Sequence, residues 1–384
     1  MNKFLIPTVF LISFIIYFVS SGGTTPYNYF TRLAESFING KYYITQNPPW
    51  LNELIPGGPG KYFVVYPPMP AILAIPFVFL FGANFPQQIL AHIVGAGIVT
   101  ITFLIAYLIK KDVKLAIWSA LLAGFGTIIW FLSSVGSVWY LGQITATFFL
   151  LLAIYFSLQK KLPGLVGVFI GAAYLSRTHT ILSLPLFLYF FRKDILKNWT
   201  YLALGIFPFV CFDTFYNFIR YGVVWNMSYF LLPKVLGEEK SPWFYLGVTN
   251  PRYIPDNLKL VFWSFPKFLD RFPYVQPSWA GLSIWITTPA FLYSLKSHIK
   301  ENEVKIAWTI IVVMLLLVTS HGGTGSVQFG YRFAVDFYPF LIFLVIKSVA
   351  KTGLKWHHWA LLLMSVLVNL WGVIWINKLG WVSF

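Results

Sequence analysis

Acidic side chains are scarce in this chain, so those that follow the first hydrophobic stretch are the first candidates for proton-transfer chemistry. Asn28, Arg32 and Glu35 stand at i, i+4 and i+7, and a helix would place them on one face. Glu35 is the carboxylate of this amphipathic motif, and we predict that it acts as a general base positioned by Asn28 and Arg32. The alternative is that Arg32 and Glu35 form a charged pair that only solubilises the helix.

A second ionisable pair stands at the start of an apolar segment, in QFGYRFAVDFYPF. Arg332 and Asp336 are four residues apart, and ionisable groups at membrane depth are generally paired or functional. Arg332 is predicted to bind an anion and to be oriented by Asp336, whereas Asp336 itself also fits a structural ion pair between two spans. The neighbouring Tyr331 is a secondary candidate.

Arg177 and His179 occupy a tight turn between two apolar segments, in LSRTHTIL. A buried guanidinium cannot neutralise itself by losing a proton, and its planar donors suit phosphate or carboxylate oxygens. The alternative is that Arg177 extends to lipid headgroups. Asp213, inside a later apolar segment and one turn before Asn217, is a secondary candidate for a polar helix contact or a cavity residue.

Composition identifies the elements that must position these residues. Of the 384 residues, 58% are hydrophobic and only 10% are charged, which predicts a polytopic, all-α membrane protein embedded in a lipid bilayer. The net charge of +16 fits basic loops that face anionic lipid, and we expect no nucleic-acid partner. The single Cys211 excludes a disulfide within the chain.

About eleven apolar segments are predicted to be membrane spans, of which 180–191 and 335–347 are short and need flanking residues to reach across. They are 4–20, 86–109, 115–133, 142–158, 162–177, 180–191, 199–217, 280–295, 306–320, 335–347 and 358–377. The first is predicted to remain uncleaved. The segment 67–82 is apolar but contains four prolines, so we predict a re-entrant or juxtamembrane element that does not cross.

This topology places nearly all basic loops on one side, which the positive-inside rule assigns to the cytoplasm. The amino end is then cytoplasmic and the carboxyl end extracytoplasmic. The extracytoplasmic face then carries two long loops, 22–85 and 218–279, and the shorter segments 133–141, 177–179 and 321–336. Nearly all the chemically interesting residues lie on this face. No repeat or linker divides the chain, so residues 1–384 are predicted to form a single membrane domain.

Several stretches taken in order resemble a known family. They are PYNYFTRLAESFINGKYY, GKYFVVYPPMPAILAIPFVFLFG, SSVGSVWYLGQ, GAAYLSRTHTILSLPLFL, FPYVQPSWAGLSIWITTPA and VQFGYRFAVDFYPFL. This set is similar to the GT-C membrane glycosyltransferases, a superfamily that includes the protein mannosyltransferases and the lipid A aminoarabinose transferase. The resemblance implies a plasma-membrane enzyme with a GT-C-like fold. It also implies inverting transfer of a sugar from a polyprenyl-phosphate donor to a glycan, lipid or protein acceptor on the extracytoplasmic face.

Carried to this chain, the resemblance places the family's first-loop acidic pair near Thr25–Asn28, where no carboxylate stands. Either Glu35 has taken the role of the base, or Asn28 and Glu35 act differently, or the chain binds a lipid-linked sugar without the usual chemistry. Tyr66 replaces a lysine that precedes the double proline in the aminoarabinose transferase, and the basic residue at the outer end of the fifth span is Arg177. The predicted donor-phosphate ligands are Arg177, Arg332, Tyr66 and His179. We expect a monomer without a cofactor; a divalent metal is compatible with the chemistry but is not expected.

Two other functions stay open at this stage. A lipid-linked sugar flippase or transporter would require polar residues through the spans, where Asp213 is the main ionisable group. A non-catalytic lipid-binding protein would account for the missing acidic pair.

Overall fold

The structure, a computed structural model, describes residues 4–278, 280–325 and 327–380. Helices make up 68% of it, and the only sheets in the described residues are two antiparallel pairs of short strands. This confirms the predicted all-α polytopic class.

The α-helices are labelled α1 to α16 in chain order. They span Leu5–Ser20, Tyr29–Ile38, Met69–Phe81, Gln87–Ile109, Val113–Phe125, Ile129–Val135, Val138–Leu158, Pro163–Tyr174, Leu184–Phe190, Ile195–Tyr221, Ser228–Leu236, Ile254–Trp263, Ile284–Thr287, Asn302–Thr319, Tyr338–Thr352 and Trp356–Val373. Strands β1 to β4 are Leu54–Pro56, Tyr62–Val64, Lys267–Phe268 and Val275–Gln276. Short 3₁₀ helices cover Thr178–Ser183, Arg192–Asp194, Pro251–Tyr253, Pro289–Lys296 and Arg332–Phe337, and a π-helical turn covers Ile374–Lys378.

Six helices in the described residues are long and apolar enough to cross a membrane, or seven if the bent pair α5 and α6 is one span. Most of the other predicted spans form shorter apolar helices, namely α1, α8 and the segment Thr178–Phe190. The predicted span 280–295 does not form a long helix, because it is divided into α13 and the 3₁₀ helix Pro289–Lys296. Pro289 lacks the N–H that a continuous helix would use there.

The proline-rich segment 67–82 forms helix α3, which has 13 residues and Pro76 in its interior. At about 1.5 Å per residue it is roughly 20 Å long, which is shorter than the ~30 Å hydrocarbon core of a bilayer. The helix packs on α2 and α7. Its length fits the prediction that this segment does not cross.

The spans have two distinct ends. The basic end holds Lys110, whose Nζ donates to the Ala350 carbonyl at 3.0 Å, and Lys347, which contacts Glu301 and Glu303. The opposite end, called here the cavity end, is formed by the last turns of α1, α14 and α16 and the first turns of α4 and α7. The basic loops that separate the spans therefore lie away from the cavity end.

Candidate active site

A cavity of about 1560 Å³ opens at the cavity end. Its wall combines many aromatic and aliphatic side chains with a few ionisable groups. The ionisable residues that line it are Glu53, Arg177, His179, Asp213, Glu238, Asp256, His321 and Arg332. An apolar cavity with a small set of convergent polar groups is typical of a ligand site.

Glu53 is the carboxylate with the most distinctive surroundings in this cavity. Its Oε2 accepts a hydrogen bond from Trp139 Nε1 at 2.8 Å and another from the Tyr66 hydroxyl. Its backbone N–H donates to the Tyr29 hydroxyl at 3.2 Å. These contacts hold the half-buried carboxylate beside aromatic side chains, and none of them comes from a cation.

This environment changes the protonation of Glu53. Burial raises the pKa of its carboxyl to about 7, against opposing effects from the Trp139 hydrogen bond and the positive charge of Arg332. Desolvation disfavours the charged form of an acid, so the carboxyl exchanges its proton near neutral pH. A group with such a pKa is suited to general-base or general-acid catalysis.

Glu53 and Tyr66 are brought together by the β1–β2 hairpin, because Glu53 immediately precedes β1 and Tyr66 follows β2 by two residues. The hairpin turns through Gly58 and Gly60, which adopt φ values of +115° and +66° that favour glycine. Two-stranded hairpins are marginally stable alone. Here Arg220 of α10 donates from Nη1 to the Val64 carbonyl at 2.9 Å and ties β2 to a span.

A second acid, Asp336, holds two of the predicted phosphate ligands. Its Oδ2 accepts from Arg177 Nη2 at 2.9 Å and lies 2.9 Å from His179 Nε2. The Asp336 side chain is fully buried, whereas Arg177 and His179 each retain about a sixth of their exposure. The carboxylate therefore lies behind the two bases, which line the cavity.

Arg332 is not paired with Asp336 as the sequence predicted. The segment Arg332–Phe337 is a 3₁₀ helix, and at about three residues per turn side chains four apart no longer share a face. The guanidinium instead lies over the rings of Phe333 at 4.8 Å and Tyr140 at 5.7 Å. Its buried Nε has no hydrogen-bond partner among the described residues, so a desolvated cation with a free donor faces the cavity.

The residues predicted to carry catalysis lie elsewhere. Helix α2 buries Tyr29, Phe30, Leu33 and neighbouring residues, but Glu35 is exposed and does not line the cavity. Arg32 Nε donates to Asn28 Oδ1 at 2.9 Å, so the predicted i, i+4 contact forms. Arg32 also bonds Gln46, and no hydrogen bond or ion pair from Arg32 to Glu35 occurs in the described residues. The three residues are thus a surface group outside the cavity.

The remaining predicted residues have structural partners. Tyr66 lines the cavity but donates to Glu53. Asp213 also lines it and accepts from Tyr174 at 2.7 Å and from Asn217 at 3.0 Å. Tyr331 is fully buried against Phe333 and does not line the cavity.

Three residues of the cavity wall, Glu53, Trp139 and His321, were given no specific role by reasoning from the sequence. Glu53 lies in an irregular segment and Trp139 comes 86 residues later, so no spacing rule joins them. His321 places Nδ1 2.8 Å from the Gly323 carbonyl, while burial, helped by the two arginines, lowers its pKa to about 4. A neutral His321 with a bonded Nδ1–H has Nε2 as an acceptor. The available signal for Glu53 was its position between aromatic residues and a Gly-rich turn.

In the described parts of the chain, no group of three His, Cys, Asp or Glu side chains is arranged to hold a metal ion.

Comparison with known proteins gives one informative result. No known protein-family profile matches the chain, and no curated protein matches its sequence. The crystal structure of ArnT from Cupriavidus metallidurans bound to undecaprenyl phosphate is similar over 96% of this chain, with a TM-score of 0.57 and 12% identity. The chain spans 64% of the length of that ArnT chain. The apo structure of the same protein is similar over 93% of this chain, with a TM-score of 0.48, 14% identity and 61% coverage of ArnT.

At this identity the similarity concerns the arrangement of helices rather than individual residues. It agrees with the span-forming helices and the resemblance found in the sequence. The chain is a multi-pass membrane protein whose fold is similar to that of this ArnT structure.

Proposed function

We propose that this protein transfers a sugar from a polyprenyl-phosphate donor to an acceptor bound in the cavity, with Glu53 as the general base. The observation that carries the proposal is the coexistence, in one cavity, of a carboxyl with a pKa of about 7 and two arginines. The fold supports it, since a similar protein, ArnT, was crystallised with undecaprenyl phosphate.

In the proposed reaction, Glu53 accepts the proton of an acceptor hydroxyl as that oxygen attacks the anomeric carbon of the donor sugar. The bond between that carbon and the phosphate oxygen breaks, and the electron pair leaves with the polyprenyl phosphate. A single displacement inverts the anomeric configuration. Glu53 is available as the base because Trp139 and Tyr66 orient its carboxylate without a hydrogen-bonded cation.

The leaving phosphate carries the developing negative charge, and cations near it would stabilise the transition state. Arg332 suits this role because its buried guanidinium has no carboxylate bonded to it in the described residues. Arg177 and His179 form the second part of the phosphate site, held by Asp336 from behind. Tyr66, by contrast, donates its hydroxyl hydrogen bond to the proposed base Glu53, so we place it beside the base and not among the phosphate ligands.

We also propose that the cavity end is extracytoplasmic. The lysines of the loops 110–112, 159–162, 296–301 and 353–355 lie at the other end, and such loops are generally cytoplasmic. In a Cys211→Ser background, Gly82→Cys should react with an impermeant thiol reagent added from outside, whereas Lys110→Cys should not. Reaction of both from the same side would contradict this orientation.

The function is tested by incubating the purified protein with a panel of radiolabelled polyprenyl-phosphate sugars and candidate glycan, lipid and peptide acceptors. Transfer of label that requires the protein and releases polyprenyl phosphate is the expected result. A lipid-linked sugar flippase would instead move the labelled donor across proteoliposomes without releasing phosphate. A protein that binds the donor but neither transfers nor moves it would overturn the proposal in favour of lipid binding alone.

A further inference from the structure

A short segment of the long loop exposes several large apolar side chains. The segment 264–278, called here the aromatic hairpin, contains β3 and β4. Phe268 is 80% exposed and Phe272 is 70% exposed. Phe265, Leu269 and Tyr274 are exposed as well, as is Trp263 just before the hairpin. An exposed apolar patch of this kind marks an interaction surface.

The base of the aromatic hairpin is fixed at a definite depth in the bundle. Ser283 N, in the chain that follows the hairpin, donates to the Ser264 carbonyl at 2.9 Å and so ties the start of the hairpin to that chain. Leu282 N, one residue before Ser283, donates to the Phe329 carbonyl at 2.8 Å. The ring of Phe329 packs on Trp371 and fills the space beside Gly372 of α16.

Gly372 lies six residues before Lys378, where the helical path of α16 and its π-helical turn ends. At the α-helical rise this is roughly 9 Å. The headgroup region of a bilayer is about 5–8 Å thick on each side of the hydrocarbon core. The hairpin base is therefore about one interface thickness below the ends of the spans, on the cavity end.

The composition of the aromatic hairpin matches that depth. Lys267 and Arg271 are exposed among the aromatic side chains, with Asp270 as the one acid of the segment. Aromatic residues are enriched at membrane–water interfaces, and basic residues beside them attract anionic headgroups. In water, by contrast, a two-stranded hairpin with its aromatic side chains exposed would be only marginally stable.

We propose that the aromatic hairpin is a membrane-interface anchor, with Phe268 and Phe272 inserted beside the acyl chains and Lys267 and Arg271 bound to anionic phospholipid headgroups. This segment of the predicted extracytoplasmic loop 218–279 is thus a monotopic element. It does not depend on the proposed transferase function. Because the hairpin follows α12, whose Asp256 and Asn257 line the cavity, the anchor also holds one cavity wall at the lipid surface.

The test places an environment-sensitive fluorophore on single cysteines in a Cys211→Ser background. Phe268→Cys and, as a second position, Phe272→Cys probe the hairpin. Lys240→Cys is the matched control, since it is exposed in a polar part of the same long loop. The labelled full chain is placed in nanodiscs of phosphatidylcholine and phosphatidylglycerol. Quenching is measured with a lipid spin-labelled near the headgroup and with aqueous iodide.

Both hairpin probes are expected to be quenched by the spin-labelled lipid and to be severalfold less accessible to iodide than the Lys240 probe. Equal iodide quenching at all three positions would overturn the proposal. Protection from iodide without quenching by lipid would overturn it too, because it would indicate a protein contact such as a second copy of the chain. The double variant Lys267→Glu, Arg271→Glu should reduce lipid quenching in anionic nanodiscs. No reduction there would refute the role of anionic headgroups.

Discussion

The two acidic centres of the cavity end, at Glu53 and Asp336, show how the same functional group acquires different roles. Glu53 is half-buried, accepts from an indole N–H and a phenol, and has no cation within hydrogen-bond distance in the described residues. Asp336 is fully buried and contacts Arg177 and His179 through one oxygen. Neutral donors leave a carboxyl free to gain and lose a proton, whereas two bases hold it as a fixed counter-charge.

We propose proton transfer for Glu53 and positioning of the cations for Asp336. The two arginines differ as well, since Arg177 has a carboxylate behind it and the buried Nε of Arg332 has no partner. Four predictions separate these roles, beginning with the largest expected effect.

Glu53→Gln should lower turnover by about 10²-fold or more, because the amide cannot accept the acceptor's proton. Binding of polyprenyl phosphate should persist, since the phosphate ligands are untouched. Turnover is measured as label transferred per protein, and binding by titration with the lipid. Glu35→Gln is the control for the hypothesis from the sequence and should keep normal turnover. Loss of activity in Glu35→Gln with retention in Glu53→Gln would reverse the assignment.

Asp336→Asn should destabilise the protein by about 3–5 kcal/mol, because removal of one partner leaves Arg177 buried without its counter-charge. Thermal unfolding in a fixed detergent measures the effect. Asp256→Asn is the matched control, since the pair of Asp256 with Lys259 is exposed and should contribute about 0–1 kcal/mol. Equal unfolding temperatures for the two variants would show that Asp336 does not position Arg177 as described.

Arg332→Gln should weaken binding of polyprenyl phosphate by about 10- to 100-fold, the usual range for a hydrogen bond to a charged group. The affinity of Arg332→Lys for polyprenyl phosphate should lie between those of the unmodified protein and Arg332→Gln, since lysine keeps the charge but loses the planar donors. Removal of the positive charge also raises the pKa of Glu53, so the acidic limb of activity should move to higher pH. Arg252→Gln, at an exposed arginine outside the cavity wall, is the control. Unchanged binding in Arg332→Gln would place the phosphate elsewhere.

Trp139→Phe should have the smallest effect, a displacement of the pH profile. The base works when ionised, so activity of the unmodified protein should fall as the pH drops below about 7. The Trp139 N–H stabilises the ionised form, and its loss raises the pKa, so activity should begin to fall at a higher pH. Trp243→Phe is the control: it removes a similar hydrogen bond, to Glu238, and should leave the acidic limb of the pH profile unchanged. If the unmodified protein, Trp139→Phe and Trp243→Phe all show the same dependence of activity on pH, Glu53 is not the titrating group.

The sequence predicted the fold class well because apolar segments report on burial in lipid almost directly. The long helices α4, α7 and α10 coincide with predicted spans. Of the eleven predicted spans, six or seven form helices long and apolar enough to cross a membrane in the described residues, whereas others, such as α8, have the composition of a span in a shorter helix.

The candidate site was less predictable. The i, i+4 rule failed at Arg332 and Asp336, because the rule assumes α-helical geometry and the segment is a 3₁₀ helix. Asp336 instead meets Arg177, which is 159 residues away. No sequence motif indicates that Glu53 is the base, because its pKa depends on burial and on Trp139 rather than on its neighbours in the sequence. Arg177 and Arg332 were found because a cation in an apolar context is unusual in itself.

The turn of the β1–β2 hairpin has a consequence for engineering. Gly58 and Gly60 have open space around them, whereas a Cβ at Gly57 would lie 2.3 Å from the Phe63 ring. Inserted residues between Gly58 and Gly60 would therefore extend away from the protein, while β2 stays tied to α10 by the Arg220 contact to Val64 and Glu53 stays bonded to Trp139 and Tyr66. This turn is the natural place for an epitope tag or a fluorescent label that reports on the loop without disturbing the cavity.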